Sequence, residues 1–206
     1  MNRILKNLSL ALMLAGAPAA LMLPAVPAQA QAADPAVEQI QGFYDALTAS
    51  MKSGGTTKSR YEKLKPAVEK AFDLTAMTQT AIGPSWATTS DADKKALVDA
   101  FTRMTIANYA KNFDDYSGEK FVVEPIAQAR GADKVVESKL VTAGQTIPFN
   151  YRMRQTGGGW KILDVYLNGS ISELATRRSD FGATLSSGGA PALIKKINAL
   201  SDSLMK

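Results

Sequence analysis

The sequence predicts an α+β fold built from N-terminal helices, a roughly four-stranded antiparallel meander and C-terminal helices. Apolar residues recur at helical spacing in the first half of the chain, alternate with a period of two between residues 121 and 167, and return to helical spacing after residue 170. Because helices flank one run of sequential strands, we expect them to pack on one face of a curved antiparallel sheet. A length of 206 residues suits one such domain.

The first 30 residues have the pattern of a secretory signal peptide. Two basic residues precede an apolar run over residues 8–23, and residues 28–30 supply the small side chains that a signal peptidase recognises. The run is shorter than the roughly 20 residues of a membrane span and contains a glycine and a proline, so a retained membrane anchor is the less favoured alternative. We therefore predict a cleaved signal peptide over residues 1–30, a single domain over residues 31–206 and a periplasmic location.

Composition excludes several classes of protein. Two of the 24 basic residues and none of the 19 acidic residues lie in the first 30 positions, which leaves 22 basic against 19 acidic residues and a net charge of +3. This balance lacks the clustered basic stripe of a nucleic-acid-binding protein. The chain has no cysteine and no histidine, which excludes disulfides, thiolate metal sites, the lipidated cysteine of a lipoprotein and the commonest general base. We expect no metal and no cofactor.

Four helices are predicted before the strands. One apolar stripe runs through residues 33–52 and a second through residues 61–72. Asp73 is placed to cap a short helix that stops at a Gly-Pro pair. Ser90, three residues before an aspartate, is placed to open the longest helix, which we end near Asn112.

The strands are predicted from their β-branched and aromatic residues and from period-two alternation. They cover residues 121–124, 135–142, 146–155 and 160–167. The third strand alternates cleanly between apolar and polar side chains, so one of its faces is buried. The fourth carries large side chains on both faces, with Trp160, Ile162 and Tyr166 sharing one of them, and we expect it to be covered on both sides.

Two helices are predicted after the sheet. A capping box over residues 170–173 is placed to begin the first helix, and a pair of glycines ends it. Pro191 opens the second helix, which has Leu200 among its predicted inward residues. Arg178 falls on the apolar stripe of the first helix, where an unpaired charge would be costly.

No arrangement of residues supports catalysis. The acidic pairs Asp91 with Asp93 and Asp114 with Asp115 lie at predicted helix ends, and the first pair interacts favourably there with the helix dipole. Asp164 interrupts an apolar strand, and a buried carboxylate needs a partner. A paired structural aspartate is the favoured interpretation. We predict that the protein is not an enzyme, and a hydrolase is the least favoured alternative.

A series of motifs extends through nearly the whole mature chain. It includes residues 83–86 (Gly-Pro-Ser-Trp), 149–151 (Phe-Asn-Tyr), 159–165 (Gly-Trp-Lys-Ile-Leu-Asp-Val), 168–170 (Asn-Gly-Ser) and 178–181 (Arg-Ser-Asp-Phe). In this order and spacing, the motifs resemble the MlaC/toluene-tolerance family of periplasmic phospholipid-binding proteins.

Within that family, residues 168–181 are closest to the hopanoid-biosynthesis-associated branch called HpnM. General members carry Asn-Tyr where this chain has Thr176-Arg177. The resemblance therefore leaves two classes of lipid open, phospholipid and hopanoid.

The resemblance implies a soluble shuttle in which helices enclose an apolar cavity against a twisted sheet. Its partners would be a phospholipid or hopanoid lipid, an inner-membrane ABC transporter complex and an outer-membrane lipid-transfer partner, with no nucleic acid. Arg178 would then pair with Asp164 or meet the lipid head group. A non-lipid periplasmic adaptor or structural protein is the main alternative.

The residues predicted to bind the lipid face inward by period and, apart from Arg178, are apolar or amphipathic. They are Phe101, Met104, Phe149, Tyr151, Met153, Trp160, Ile162, Tyr166, Arg178 and Phe181. For any one of the apolar side chains, ordinary core packing is the alternative to lipid contact.

The signal-peptide prediction is tested by the mass of the protein recovered from the periplasmic fraction. We expect a chain that begins near Gln31 or Ala33, because the small residues at positions 28–32 fit signal peptidase. Intact-mass spectrometry measures this start directly. Retention of residues 1–30 in the exported protein would contradict the prediction.

Overall fold

The helices of the first half form where their apolar stripes and capping residues predict. The structure is a computed structural model that describes residues 33–206, and the predicted signal peptide lies outside the described residues. The helices are α1 (Pro35–Lys52), α2 (Thr57–Ala71), α3 (Leu74–Ile82) and α4 (Asp91–Asn112), with a short 3-10 segment (Gly83–Thr88) before α4. The predicted caps are confirmed, since Asp73 and Ser90 each accept a hydrogen bond from a backbone amide in the first turn of their helices.

The sheet is antiparallel, and its strands are short at both edges. They are β1 (Lys120–Val123), β2 (Gln128–Arg130), β3 (Asp133–Val141), β4 (Thr146–Thr156), β5 (Gly159–Leu167) and β6 (Ile171–Ser172). The order is β1-β3-β4-β5-β6, and β2 also pairs with β3. The four predicted strands are confirmed. The two additional strands contain three and two residues, too few to produce a detectable alternation.

The C-terminal helix α5 (Glu173–Leu204) begins two residues later than its capping box predicts, because the short strand β6 comes first. Ser172, and not Ser170, is the N-cap, and its side chain accepts a hydrogen bond from the amide of Ala175. Gly189 has a φ of 65°, which breaks α5 into two helical stretches where the glycine pair predicts an end. No helix among residues 33–206 is long and apolar enough to span a membrane.

Two predictions about the inward face of α5 are wrong. Arg178 is exposed to solvent, so it does not lie on the buried stripe. Leu200 is also exposed, whereas its neighbour Ser201 is fully buried. The buried apolar residues of α5 are Leu174 and Phe181 before Gly189 and Leu193 and Ile197 after it, so each helical stretch keeps its predicted apolar stripe without these two positions.

A β-bulge in β5 changes which side chains share a face of the sheet. Arg152 lies opposite Asp164, but Met153 lies opposite Ile162, so Leu163 is the extra residue. Trp160, Ile162 and Tyr166 therefore do not share a face, contrary to prediction. Cross-strand partners lie on the same face, and the bulge moves Tyr166 to the side opposite Ile162. The predicted coverage on both sides is confirmed for residues 162–165, all of which are buried.

Asp164 has partners other than Arg178. Its carboxylate accepts hydrogen bonds from the hydroxyl of Ser172 at 2.6 Å, from the amide of Val165 at 2.9 Å and from the amide of Leu174 at 3.2 Å. The expected pairing of Arg178 with Asp164 is therefore wrong. Asp164 fixes the start of α5 to β5, which is a structural role.

A buried polar contact joins α1 to the sheet inside the apolar core. The Ser138 hydroxyl donates to the carbonyl of Phe149, and the Tyr44 and Ser138 hydroxyl oxygens are 2.6 Å apart. Because Ser138 has a single hydroxyl proton, Tyr44 donates to Ser138. Both side chains are almost fully buried. If this contact were lost, neither hydroxyl could form a hydrogen bond to water in its place.

We expect Ser138→Ala to lower the free energy of unfolding by about 1–3 kcal/mol, because it leaves the buried Tyr44 hydroxyl without an acceptor. Tyr44→Phe together with Ser138→Ala should cost less than the sum of the two single substitutions, since both polar partners are then removed. Urea denaturation of the four proteins measures the coupling.

The matched control is Ser50→Ala. The Ser50 hydroxyl is buried and has no hydrogen-bond partner, so its removal should leave stability unchanged or raise it. Additive effects of the Tyr44 and Ser138 substitutions would show that the two hydroxyls are not coupled.

Candidate functional site

A cavity of about 450 Å³ lies between α4, the start of α5 and one end of the sheet. Three strands contribute to its wall, since Leu140 comes from β3, Phe149 from β4 and Val165 from β5. At the other end of the sheet, the same face is closely packed, and Val136, Met153 and Ile162 have no exposed surface. One sheet face therefore serves as core at one end and as cavity wall at the other.

The wall of the cavity is mainly apolar. Its apolar residues are Phe72, Met77, Phe101, Met104, Phe113, Leu140, Ile147, Phe149, Val165, Leu167 and Leu174. Aromatic rings and methionines adapt to flexible apolar partners, because thioether chains are polarizable and have several rotatable bonds. Such a wall favours a long apolar ligand over a polar metabolite.

The polar residues of the wall come from two helices. Thr105, Asn108 and Asn112 lie at helical spacing on α4, while Glu173 and Arg177 lie one turn apart on α5. The Arg177 guanidinium is 3.6 Å from the Glu173 carboxylate, and the two side chains are 24% and 30% exposed. These partly exposed groups place a polar region beside the apolar part of the cavity.

Three tyrosines lie near one another, and one of them, Tyr109, lines the cavity. The Tyr109 ring lies 5.1 Å from that of Phe43. The Tyr44 and Tyr151 rings are 5.8 Å apart. Burial raises the pKa of Tyr44 to about 12. Burial also raises the pKa of Tyr109 and of Tyr151 well above the usual value, and Tyr44 adds to both shifts. All three hydroxyls are therefore neutral at ordinary pH.

The structure places three of the ten residues predicted to bind lipid in the cavity wall. These are Phe101, Met104 and Phe149. Tyr151, Met153, Ile162 and Phe181 lie in the hydrophobic core outside the wall.

The other three predicted residues lie at the surface or at its edge. Trp160 packs under the Lys134 ammonium, 4.8 Å from the ring centre. Tyr166 is on the opposite sheet face because of the bulge. Arg178 is exposed beside Gly83, whose missing Cβ would approach its guanidinium to 3.0 Å.

Sequence reasoning missed most of the polar wall. The spacing of Phe101, Thr105, Asn108 and Asn112 puts them on one face of their helix, and this spacing was the available signal for the polar residues of α4. Arg177 had a different signal, because it is part of the Thr176-Arg177 departure from general family members. The sequence could not place Val165 and Leu167 in the cavity wall. The bulge that turns them toward the cavity does not change the pattern of apolar and polar residues along β5.

The site has the chemistry of binding. Its ionisable wall residues, apart from Tyr109, are Glu173 and Arg177, which neutralise each other as an ion pair. In the described part of the chain, no three acidic side chains converge so that they could hold a metal ion. The geometry suits a ligand with a long apolar part and a polar end.

Comparisons with known proteins agree with this geometry. The sequence pattern of the family described as "MlaC protein" matches residues 39–199. The fold is similar to that of the phospholipid-binding protein from Ralstonia solanacearum, solved in complex with a phospholipid, with a TM-score of 0.73 and 22% sequence identity over 83% of this chain and 99% of that chain. Among curated proteins, none matches this chain by sequence.

The raised tyrosine pKa values predict a loss of stability at high pH. The unfolded tyrosines ionise near pH 10 and the folded Tyr44 near 12, so the stabilising effect is complete below pH 10 and is lost as the pH rises toward 12. In that window, each such tyrosine lowers the free energy of unfolding by about 1.4 kcal/mol per pH unit. Tyr44→Phe should reduce this slope, and urea denaturation between pH 8 and 12 measures it. Equal slopes in both proteins would contradict the prediction.

Proposed function

Because this chain belongs to the MlaC protein family, we propose that it is a periplasmic lipid-binding shuttle whose cargo is a phospholipid or a hopanoid. The observation that carries the proposal is the apolar cavity with a polar region on its α4 and α5 sides. A phospholipid occupies the Ralstonia solanacearum protein of the same fold, which supports the same class of ligand here.

The energetics of lipid transfer explain why a carrier needs such a wall. Two acyl chains hold about 30 methylene groups, and exposing each to water costs ~0.8 kcal/mol, so free diffusion is excluded. An apolar wall offers the chains an environment similar to a bilayer. Uptake and release are then nearly balanced in free energy, and a membrane-bound partner can decide the direction.

The size of the cavity is compatible with such a ligand. Its volume of about 450 Å³ lies within the range of about 300–1,000 Å³ that is typical of ligand pockets.

The finer parts of the proposal concern partners. We propose that the shuttle receives and delivers lipid by docking on an inner-membrane ABC transporter complex and on an outer-membrane lipid-transfer partner. Family membership and the predicted signal peptide support this assignment. We also propose that the chain acts without catalysis, since the wall contains an ion pair and no nucleophile beside a base.

The proposal predicts bound lipid in protein purified from cells. Organic extraction followed by mass spectrometry should recover close to one phospholipid or hopanoid per chain. Leu140→Trp, which adds volume inside the cavity wall, should lower the bound lipid by about tenfold or more, since overpacked side chains cost typically 1–3 kcal/mol.

The control for added volume is Val122→Trp. Val122 lies on β1 outside the cavity wall and is 38% exposed, so this variant should keep its lipid. Melting temperatures of both variants separate lost binding from lost folding. A wild-type protein free of lipid, with no uptake from vesicles, would favour the non-lipid adaptor instead.

A further inference from the structure

We propose that Arg177 recognises the phosphate of a bound phospholipid and thereby gives the cavity a preference for lipids that carry a phosphate over those that lack one. This inference rests on the proposed function and deepens it. Among the described residues that line the cavity, Arg177 carries the one positive charge. A charge at this position favours a ligand with an anionic end.

Arg177 is loosely held by its neighbour. The 3.6 Å separation from the Glu173 carboxylate is longer than a hydrogen bond, and both groups are partly exposed. Ion pairs of this kind between exposed side chains are weak. A guanidinium can instead make two parallel hydrogen bonds to a phosphate, which are stronger and directional. Phosphate can therefore replace Glu173 as the partner of Arg177.

The remaining polar residues of the wall fit the same ligand. Asn108 and Asn112 lie on α4 and share the cavity with Arg177 of α5. Their side-chain amides can donate to phosphate oxygens or to head-group hydroxyls. The apolar wall beyond them takes the acyl chain. The cavity thus separates one polar end from one apolar part, as a phospholipid does.

The adjacent arginine is excluded by position. Arg178 is exposed and packs beside Gly83, outside the cavity wall. The residues that line the cavity include Arg177 and do not include Arg178. Arg178 therefore provides a control of equal charge and almost equal sequence position.

The test compares two lipids with identical acyl chains, phosphatidylglycerol and diacylglycerol, which lacks the phosphate. Protein purified from cells is incubated with vesicles that contain both lipids, reisolated and extracted, and the ratio of the two lipids is measured by mass spectrometry. We expect the wild type to prefer phosphatidylglycerol. Arg177→Gln should lower that preference by roughly tenfold or more, which is the effect expected for losing a charge-assisted hydrogen bond, with diacylglycerol uptake unchanged.

Two further variants sharpen the test. Arg178→Gln should keep the wild-type ratio. Glu173→Gln should raise the preference for phosphatidylglycerol several-fold, because it removes the carboxylate that competes for Arg177. Inorganic phosphate should not displace the bound lipid, since it has no acyl chain to fill the apolar wall. Displacement by inorganic phosphate would assign the site to the free anion and overturn the inference.

The outcomes separate the inference from the proposed function. If the protein binds both lipids and Arg177→Gln leaves the ratio unchanged, or Arg178→Gln changes it equally, the inference is wrong while the shuttle function stands. If neither lipid is taken up by the wild type or any variant, the inference is wrong. The proposed function fails as well only if extraction of protein purified from cells also recovers neither phospholipid nor hopanoid. Melting temperatures within a few degrees of wild type confirm that the variants are folded.

Discussion

The bulge at Leu163 determines how the rest of the site is arranged. It gives β5 one more residue than β4 across the pair, so Val165 and Leu167 share the face of Ile162 and Asp164 points to the opposite face. Asp164 can then accept hydrogen bonds from Ser172 and from the amide of Leu174. These bonds fix the first turn of α5 against β5. The same turn carries Glu173 and Leu174 into the cavity wall, with Arg177 one turn later.

The cavity persists because core packing stops partway along the sheet. Tyr151 and Met153 of β4 are fully packed, whereas Phe149, two residues earlier on the same face, is only partly buried and lines the cavity. The contact from Tyr44 through Ser138 to the Phe149 carbonyl lies at this boundary. A directional hydrogen bond inside an apolar region fixes α1 and the strands together without filling the neighbouring space. Closely packed interiors do not normally leave such a space, and ligand sites are spaces of this kind.

Sequence reasoning predicted the fold well because the relevant signals are local. Stripes, caps such as Asp73 and Ser90, and the alternation of β4 each depend on a few neighbouring residues. The cavity wall is not local. Met153 and Phe149 have the same period and similar hydrophobicity, yet only Phe149 lines the cavity, because the helices that cover each residue are distant from it in the sequence. Arg177 and Arg178 likewise cannot be told apart until the first residue of α5 is known. The predicted N-cap, Ser170, lies two residues before the observed one, Ser172.

The proposed carrier function would account for the division of the cavity into apolar and charged parts. Acyl chains are chemically alike, so their contacts with the wall contribute affinity but little discrimination. Discrimination between lipids has to come from the end where the head groups differ. A charge placed deep in the wall would need compensation whenever the cavity is empty. At the partly exposed position of Arg177, water and Glu173 supply that compensation in the empty protein, and a phosphate can take their place when lipid is bound.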